Sequence, residues 1–241
     1  MDSNYANAAR EILNDRIEEI NSHLSFIYTV QSEGASLLAR FDKKEAFKII
    51  HYELSRDFIR TQTATTFLLL YNAVESVMTE LLDAIHVTLV ESSVSYADLK
   101  PCLQSRLIKS FKSRILEPDN NVFLSGEMNT IFEEVVARSY IKEKFFSGNI
   151  TKKVIENCSQ DFGFSIAEHD KSISKNGKYL SLIKDKRNEL AHGSLSFKEC
   201  GKEVTVEELQ GYTRSIEEYL SAVITGVGDY LDNALYLENA S

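Results

Sequence analysis

The stretch "ATTFLLLYNAVESVMTELLDAIHVTLV", residues 64–90, contains neither glycine nor proline, the two residues that most readily interrupt a helix. Projected at about 100° per residue, its Leu70, Ala73, Val74, Val77, Met78, Leu81 and Ile85 fall on one broad arc. A helix of this length with one apolar arc has to bury that arc against other helices. This predicts a central helix in an all-α bundle.

The rest of the chain supplies partners for it. Leu13, Ile17, Ile20, Leu24 and Ile27 alternate gaps of four and three, the seam of a long N-terminal helix over 8–30 packed nearly parallel to a neighbour. A second helix is expected over 43–60 and another over Tyr96 to Leu116, with Pro101 tolerated only near its first turn. Loop signals in "EPDNN" precede helices expected over 128–146 and 150–158, and 159–177 has no clear period and reads as loop or short irregular structure. Helix returns from Lys178 to His192, with Gly193 placed to cap it. The alternation in "SFKECGKEVTV" suggests a small β-hairpin near 195–205. Thr205 and Glu208 form a T-x-x-E capping box that opens a last helix, reaching about 232 on Leu209, Tyr212, Ile216, Tyr219, Val223, Val227 and Tyr230. A chain of 241 residues then reads as one helical domain over 1–241, with a core of about 60–235 and an N-terminal helical extension over 1–60.

Charge and cysteines narrow the function classes. A formal charge of -9 argues against a general nucleic-acid coat, which needs clustered bases. Basic ground is nevertheless local: Lys171, Lys175, Lys178, Lys184, Lys186 and Arg187 face the single acid Asp185, and Arg106, Lys109, Lys112 and Arg114 form a second stretch. Cys102, Cys158 and Cys200 are scattered and never in a CxxC spacing, so neither a disulfide framework nor a thiolate metal site is indicated. The opening stretch lacks the apolar core of a secretory signal, and "FLLLY" is far shorter than the roughly 18 to 20 apolar residues of a membrane span. These features point to the cytoplasm, with no membrane partner. No G-x-S-x-G, HExxH or Walker sequence occurs, and no cofactor or metal is called for.

One helix breaks its own pattern. Leu180, Ile183, Arg187 and Leu190 are spaced by three, four and three, so a guanidinium lies on the stripe that must face the core. It cannot lose its proton, and an unpaired charge out of water costs several kcal/mol, roughly, even after relaxation. Arg187 therefore needs an internal carboxylate, which would serve structure, or an incoming phosphate, which would serve function. His192 follows at about 140° around the axis. The two side chains could meet one substrate if the helix end bends at Gly193, or if a second copy faces the first across a two-fold axis. The two-fold arrangement would supply two imidazoles to take and give protons and two guanidinium groups for charge on phosphorus. Taken alone, however, "AHG" is an ordinary helix stop, with the histidine favoured by the helix dipole.

With these residues in place, "RNELAH" at 187–192 resembles the R-x4-6-H motif of the HEPN superfamily, helical ribonucleases of prokaryotic defence, toxin-antitoxin and RNA-processing systems. Together with "FLLLYNAVESV" at 67–77 and the following "VEEL" helix, it is similar to the MAE-type branch, in order over roughly 60–235. The resemblance implies a HEPN-like helical bundle and metal-independent endoribonuclease action through 2′-hydroxyl attack. His192 would be acid or base, Arg187 would hold the phosphate, and Asn188 would orient the site. The implied substrate is RNA, because DNA has no 2′-hydroxyl. Implied partners are a second copy or a related HEPN subunit, and an antitoxin or defence-system protein. Some family toxins carry a tyrosine two residues after the histidine as a modification target; Ser194 stands there, so that control does not transfer.

Further candidates have competing readings. Glu75 could pair with Arg187 and hold it ready, or belong to a solvent face with Ser76, Glu80 and Asp83. Lys184 and Lys186 could bind substrate phosphates or a nucleotide such as ATP, or be solvated. His23, His51 and His169 lack a ligand at helical spacing. A HEPN-like subunit that binds a partner and cuts nothing, with Arg187 in an internal salt bridge, is the alternative to the nuclease.

Overall fold

The computed structural model describes residues 6–33, 37–40, 48–51, 54–92, 94–115, 135, 146 and 148–239. Among the described residues the architecture is an all-α bundle with one two-stranded hairpin. Helix α1 (Asn7–Glu33) leads into the antiparallel strands β1 (Leu37–Arg40) and β2 (Lys48–His51), and then into the 36-residue helix α2 (Arg56–Glu91). A 3-10 turn (Tyr96–Asp98) precedes α3 (Pro101–Ile115). Helices α4 (Lys152–Phe162), α5 (Lys171–Ser174), α6 (Tyr179–Ala191), α7 (Phe197–Cys200) and α8 (Val206–Asp232) complete the described chain.

The core follows the apolar stripes. Leu13, Ile20, Leu24 and Ile27 of α1 are at most 1% exposed, and Leu70, Val77, Met78, Leu81 and Ile85 of α2 are at 0%. Together with Leu209, Ile216, Val223 and Val227 of α8 they form one continuous cluster. α1 is therefore part of the core, stacked along α2 and α8. His23 Nε2 sits 2.9 Å from the Gln62 carbonyl oxygen, and the Arg10 guanidinium donates to Thr225 Oγ1 at 3.0 Å, fixing α1 to both neighbours. Among the described residues no helix is long and apolar enough to cross a membrane.

The helix boundaries have local causes. Ser55 Oγ accepts from the Phe58 N–H at 3.1 Å and starts α2, and Thr205 and Glu208 form the expected reciprocal capping box on α8. Gly163, at φ 83, ends α4 in the left-handed conformation.

Two expectations are corrected. The helix expected over 43–60 does not form: β2 occupies 48–51, in register Leu38↔Ile50 and Ala39↔Ile49, and helix begins only at Arg56. The β-branched pair Ile49–Ile50 favours extended backbone, while the periodicity after 55 belongs to α2. Nor does a hairpin form near 195–205. Ser196 and Glu199 make a second capping box, Ser196 Oγ accepting from the Glu199 N–H at 3.3 Å, and the turn winds into α7 with Cys200 buried. The helix expected over 128–146 lies outside the described residues apart from Val135 and Phe146. α4 extends past the expected 158 to Phe162, and the aperiodic stretch contains α5 and a 3-10 turn (Lys175–Gly177).

The strap after α4 lies across α8 at Gly226. A Cβ there would come 1.8 Å from the Ser165 carbonyl oxygen, and the Ala167 N–H donates to the Ala222 carbonyl at 3.1 Å. Gly226→Ala should therefore cost about 3 kcal/mol or more, because backbone meets backbone and neither can give. Gly211→Ala, in the same helix with nothing within 4 Å of the new Cβ, should be neutral or stabilising by up to about 1 kcal/mol. Thermal unfolding of the two variants checks both.

Candidate functional site

α6 enters the bundle on Leu180, Ile183 and Leu190, which are 1%, 0% and 5% exposed, and this anchoring carries Arg187 against α2. The half-buried guanidinium lies over the ring of Tyr71, its Cζ 4.5 Å from the ring centroid. Nη1 donates to Asn188 Oδ1 at 2.9 Å, and Asn188 Nδ2 donates to Asn149 Oδ1 at 3.1 Å. The Tyr71 hydroxyl accepts from the buried Ile150 N–H at 3.1 Å. The loop Gly148–Ile150 and the middle of α2 thus meet at one cation.

Among the described residues, no carboxylate comes within ion-pair distance of Arg187; its contacts are an aromatic face and an amide. A cation over a partly desolvated aromatic face gains roughly 1–2 kcal/mol, less than the desolvation of an unpaired charge costs. The arrangement therefore leaves attraction for an anion unspent. Burial holds the Tyr71 phenol above its usual range, assisted by the Glu75 charge and opposed by the Ile150 N–H and Arg187. Tyr71 stays a neutral ring. Glu75 stands one turn further along α2, half-buried and close enough to act on Tyr71, without an ion pair to Arg187.

His192 ends α6. Its backbone is right-handed, φ -88 and ψ -4, and its N–H donates to the Asn188 carbonyl at 2.9 Å. Gly193 follows at φ 72, and Ser194 Oγ donates to the Glu189 carbonyl at 3.2 Å. The stop signal is realised and the imidazole is exposed. Because α6 is regular through Ala191 and His192 is itself right-handed, no bend separates Arg187 from His192, and the two side chains remain about 140° apart around the axis. A bend ahead of His192 therefore does not bring the two side chains together.

Two members of the basic run are neutralised. Lys184 pairs with its neighbour Asp185, while Lys186 bridges Glu189 at 3.3 Å and Glu203 at 3.1 Å. Burial works to lower the Lys186 pKa, but the hydrogen bonds and charges of Glu203 and Glu189 outweigh it and hold the ammonium above its usual value. Whatever these pairs contribute is present below the ordinary lysine pKa and is lost only as pH rises through the raised one. In the second stretch Arg106 lies 3.9 Å from Asp161 and over the Phe162 ring. The site therefore gathers Arg187 and Asn188, with Glu75 nearby, and leaves Lys184, Lys186 and His192 outside its hydrogen bonds.

Other candidates resolve into structure. His169 Nδ1 sits 3.0 Å from the Ala167 carbonyl with its ring edge-on to Tyr219, and among the described residues no three His, Cys, Asp or Glu side chains gather into a metal-holding group. An open groove of about 680 Å³ between α1 and α8 shares no residue with Arg187, and its Glu18 and Glu217 suit an anion poorly. Sequence reasoning passed over Tyr71, Gly148 and Asn149. Tyr71 is one more ring in an apolar stretch, and nothing local ties 148–149 to a helix 39 residues away.

An all-α bundle holding an R-N-x-x-x-H helix end with a solvent-reaching arginine defines the class. Residues 7–236 match the family model described as HEPN_MAE_28990-like HEPN, and the chain belongs to that HEPN family. The match starts within α1, well before the region of resemblance at about 60–235. No curated protein and no solved structure matches the chain.

Tyr71→Phe keeps the ring under Arg187 but strands the buried Ile150 N–H, a loss of about 1–3 kcal/mol in unfolding free energy. Tyr71→Leu removes the aromatic face as well. Chemical denaturation should order the proteins as wild type, Phe, then Leu.

Proposed function

We propose that this chain is a metal-independent endoribonuclease of the HEPN family, acting as a homodimer or with a related HEPN subunit. The reading is carried by one observation: Arg187 is half-buried with no carboxylate in reach among the described residues, held over Tyr71 with Asn188 on one side. In this reaction the 2′-hydroxyl loses its proton to one imidazole as its oxygen bonds to phosphorus. The P–O5′ bond breaks, and the 5′-oxygen takes a proton from a second imidazole. The products are a 2′,3′-cyclic phosphate and a 5′-hydroxyl. Arg187 holds the phosphate and neutralises charge in the transition state, Asn188 fixes the plane of the guanidinium, and His192 is acid or base. Since His192 diverges from Arg187 on its own helix, the imidazole beside each arginine comes from the facing copy. The substrate is RNA, the compartment the cytoplasm, and the role anti-phage defence or a toxin restrained by a partner. Glu75, near Tyr71 and without an Arg187 ion pair, would help to orient bound substrate.

The exposure of His192 and the lack of a hydrogen-bond partner for its imidazole among the described residues favour a second reading, a HEPN-like subunit that binds a partner and cuts nothing. Nucleotide binding at Lys184 and Lys186 has least support, because both ammonium groups are already paired.

Cleavage of a single-stranded RNA in EDTA separates the first two. The nuclease reading expects wild-type cleavage to a cyclic phosphate, with His192→Ala and Arg187→Ala each slower by about 10²- to 10⁴-fold and molar mass in solution showing a dimer. Equal rates in all three proteins, or none in any, leave the binding subunit.

A further inference from the structure

The space beside Arg187 has a shape that bears on how a ligand would reach it. Gly148 has φ +75, and a Cβ built on it would stand 3.3 Å from Arg187 Nη1, 3.5 Å from Nη2 and 3.8 Å from Cζ. The order of these distances fixes the direction. A point over the face of a guanidinium lies nearest the central carbon or level with it; a point off the end of the fork lies nearer both terminal nitrogens. The absent Cβ is therefore off the Nη1/Nη2 end, close to the guanidinium plane. That is the edge with which arginine grips phosphates in a two-pronged manner, by one N–H from each terminal nitrogen.

The donor count agrees. A guanidinium has five N–H groups, and among the described residues only one of them, on Nη1, has a partner, Asn188 Oδ1. Tyr71 covers a face and Asn188 takes one of the four terminal N–H groups, so Nη1 and Nη2 each keep at least one donor.

The dihedral alone does not demand glycine. Lys175, Asn176 and Ala234 hold φ of 47, 54 and 49 in this same chain. At Gly193, φ +72, nothing lies within 4 Å of the built Cβ. At Gly163 and Gly177 the built Cβ meets Cys102 Sγ at 3.0 Å and the Tyr219 ring at 3.1 Å; what distinguishes Gly148 is that its Cβ would meet a guanidinium.

We propose that Gly148 is a binding-site residue whose missing side chain leaves room for a phosphodiester to dock two-pronged on Nη1 and Nη2 of Arg187, so that the loop Gly148–Asn149 forms the wall of a phosphate slot. This rests on the nuclease reading for the identity of the anion, but not for its geometry. Asn149 aligns the slot through Asn188 and is a positioning residue. The slot accepts a phosphate that carries two unesterified oxygens, and a side chain at position 148 would stand where those oxygens go.

Binding of a 5′-fluorescein RNA oligonucleotide methylated at every 2′-oxygen, which cannot be cleaved by 2′-attack, tests this by anisotropy on the full chain. Gly148→Ala and Gly148→Asn should raise Kd about tenfold or more, and should flatten the slope of log Kd against log salt by roughly 0.7 for each phosphate that the protein no longer neutralises. Asparagine tolerates positive φ, so Gly148→Asn keeps the test valid if Gly148→Ala folds poorly. Gly193→Ala, compared by thermal unfolding only, gives the cost of the dihedral without the clash. In an Arg187→Ala background, the Gly148 substitutions should have no further effect on Kd. Wild-type affinity and salt slope in Gly148→Asn overturn the inference while Arg187→Ala still weakens binding, and so does a Gly148 effect that persists without Arg187. Binding that behaves as expected, in a protein that cuts no ordinary RNA, keeps the slot and removes the nuclease. Absence of binding by the wild type overturns both.

Discussion

The guanidinium of Arg187 over the ring of Tyr71 is the contact on which the site depends. A cation on a core stripe has to be accommodated, and this chain does it with quadrupole and amide rather than with an acid. An acid would have ended the matter, giving a closed ion pair. An aromatic face and an amide steady the group in one orientation and leave its charge to act outward.

The bundle makes this possible by placing three distant pieces together. α2 supplies Tyr71 from the middle of its buried face, α6 supplies Arg187 and Asn188, and the loop before α4 supplies Gly148, Asn149 and the Ile150 N–H. The two ends of the loop segment are tied separately: Ile150 to α2 through the Tyr71 hydroxyl, Asn149 to α6 through Asn188. Loop position and arginine orientation are thereby one problem with one solution, which is the preorganisation that the proposed phosphate slot needs.

Helix-period arguments located α1, α2, α6 and α8 because long amphipathic stripes average over local noise, and every arc residue named on α2 is buried. Short elements were harder, since competing local interactions decide them. At 196–199 the alternation of "SFKE" suggested strand, yet the same letters spell an S-x-x-E box, and two reciprocal hydrogen bonds outweigh an alternation of four residues. At 48–51 the β-branched pair governed the backbone although a helix period reaches it from downstream. For the site, Arg187 and Asn188 were legible because a charge on an apolar stripe is conspicuous. Tyr71 and Gly148 were not, because their part lies in what they do to Arg187, and no spacing within one helix encodes a contact across 39 residues or more.

The groups that touch Arg187, or that hold what touches it, have one property in common: none gains or loses a proton near neutrality. A phenol pushed above its usual range, two carboxamides and a glycine backbone present the same surroundings to the cation in mild acid and in mild alkali. The charge that the cradle presents is thus a constant of the scaffold, and any acidity dependence of the proposed anion binding has to originate in the ligand or in side chains beyond that small neutral cradle.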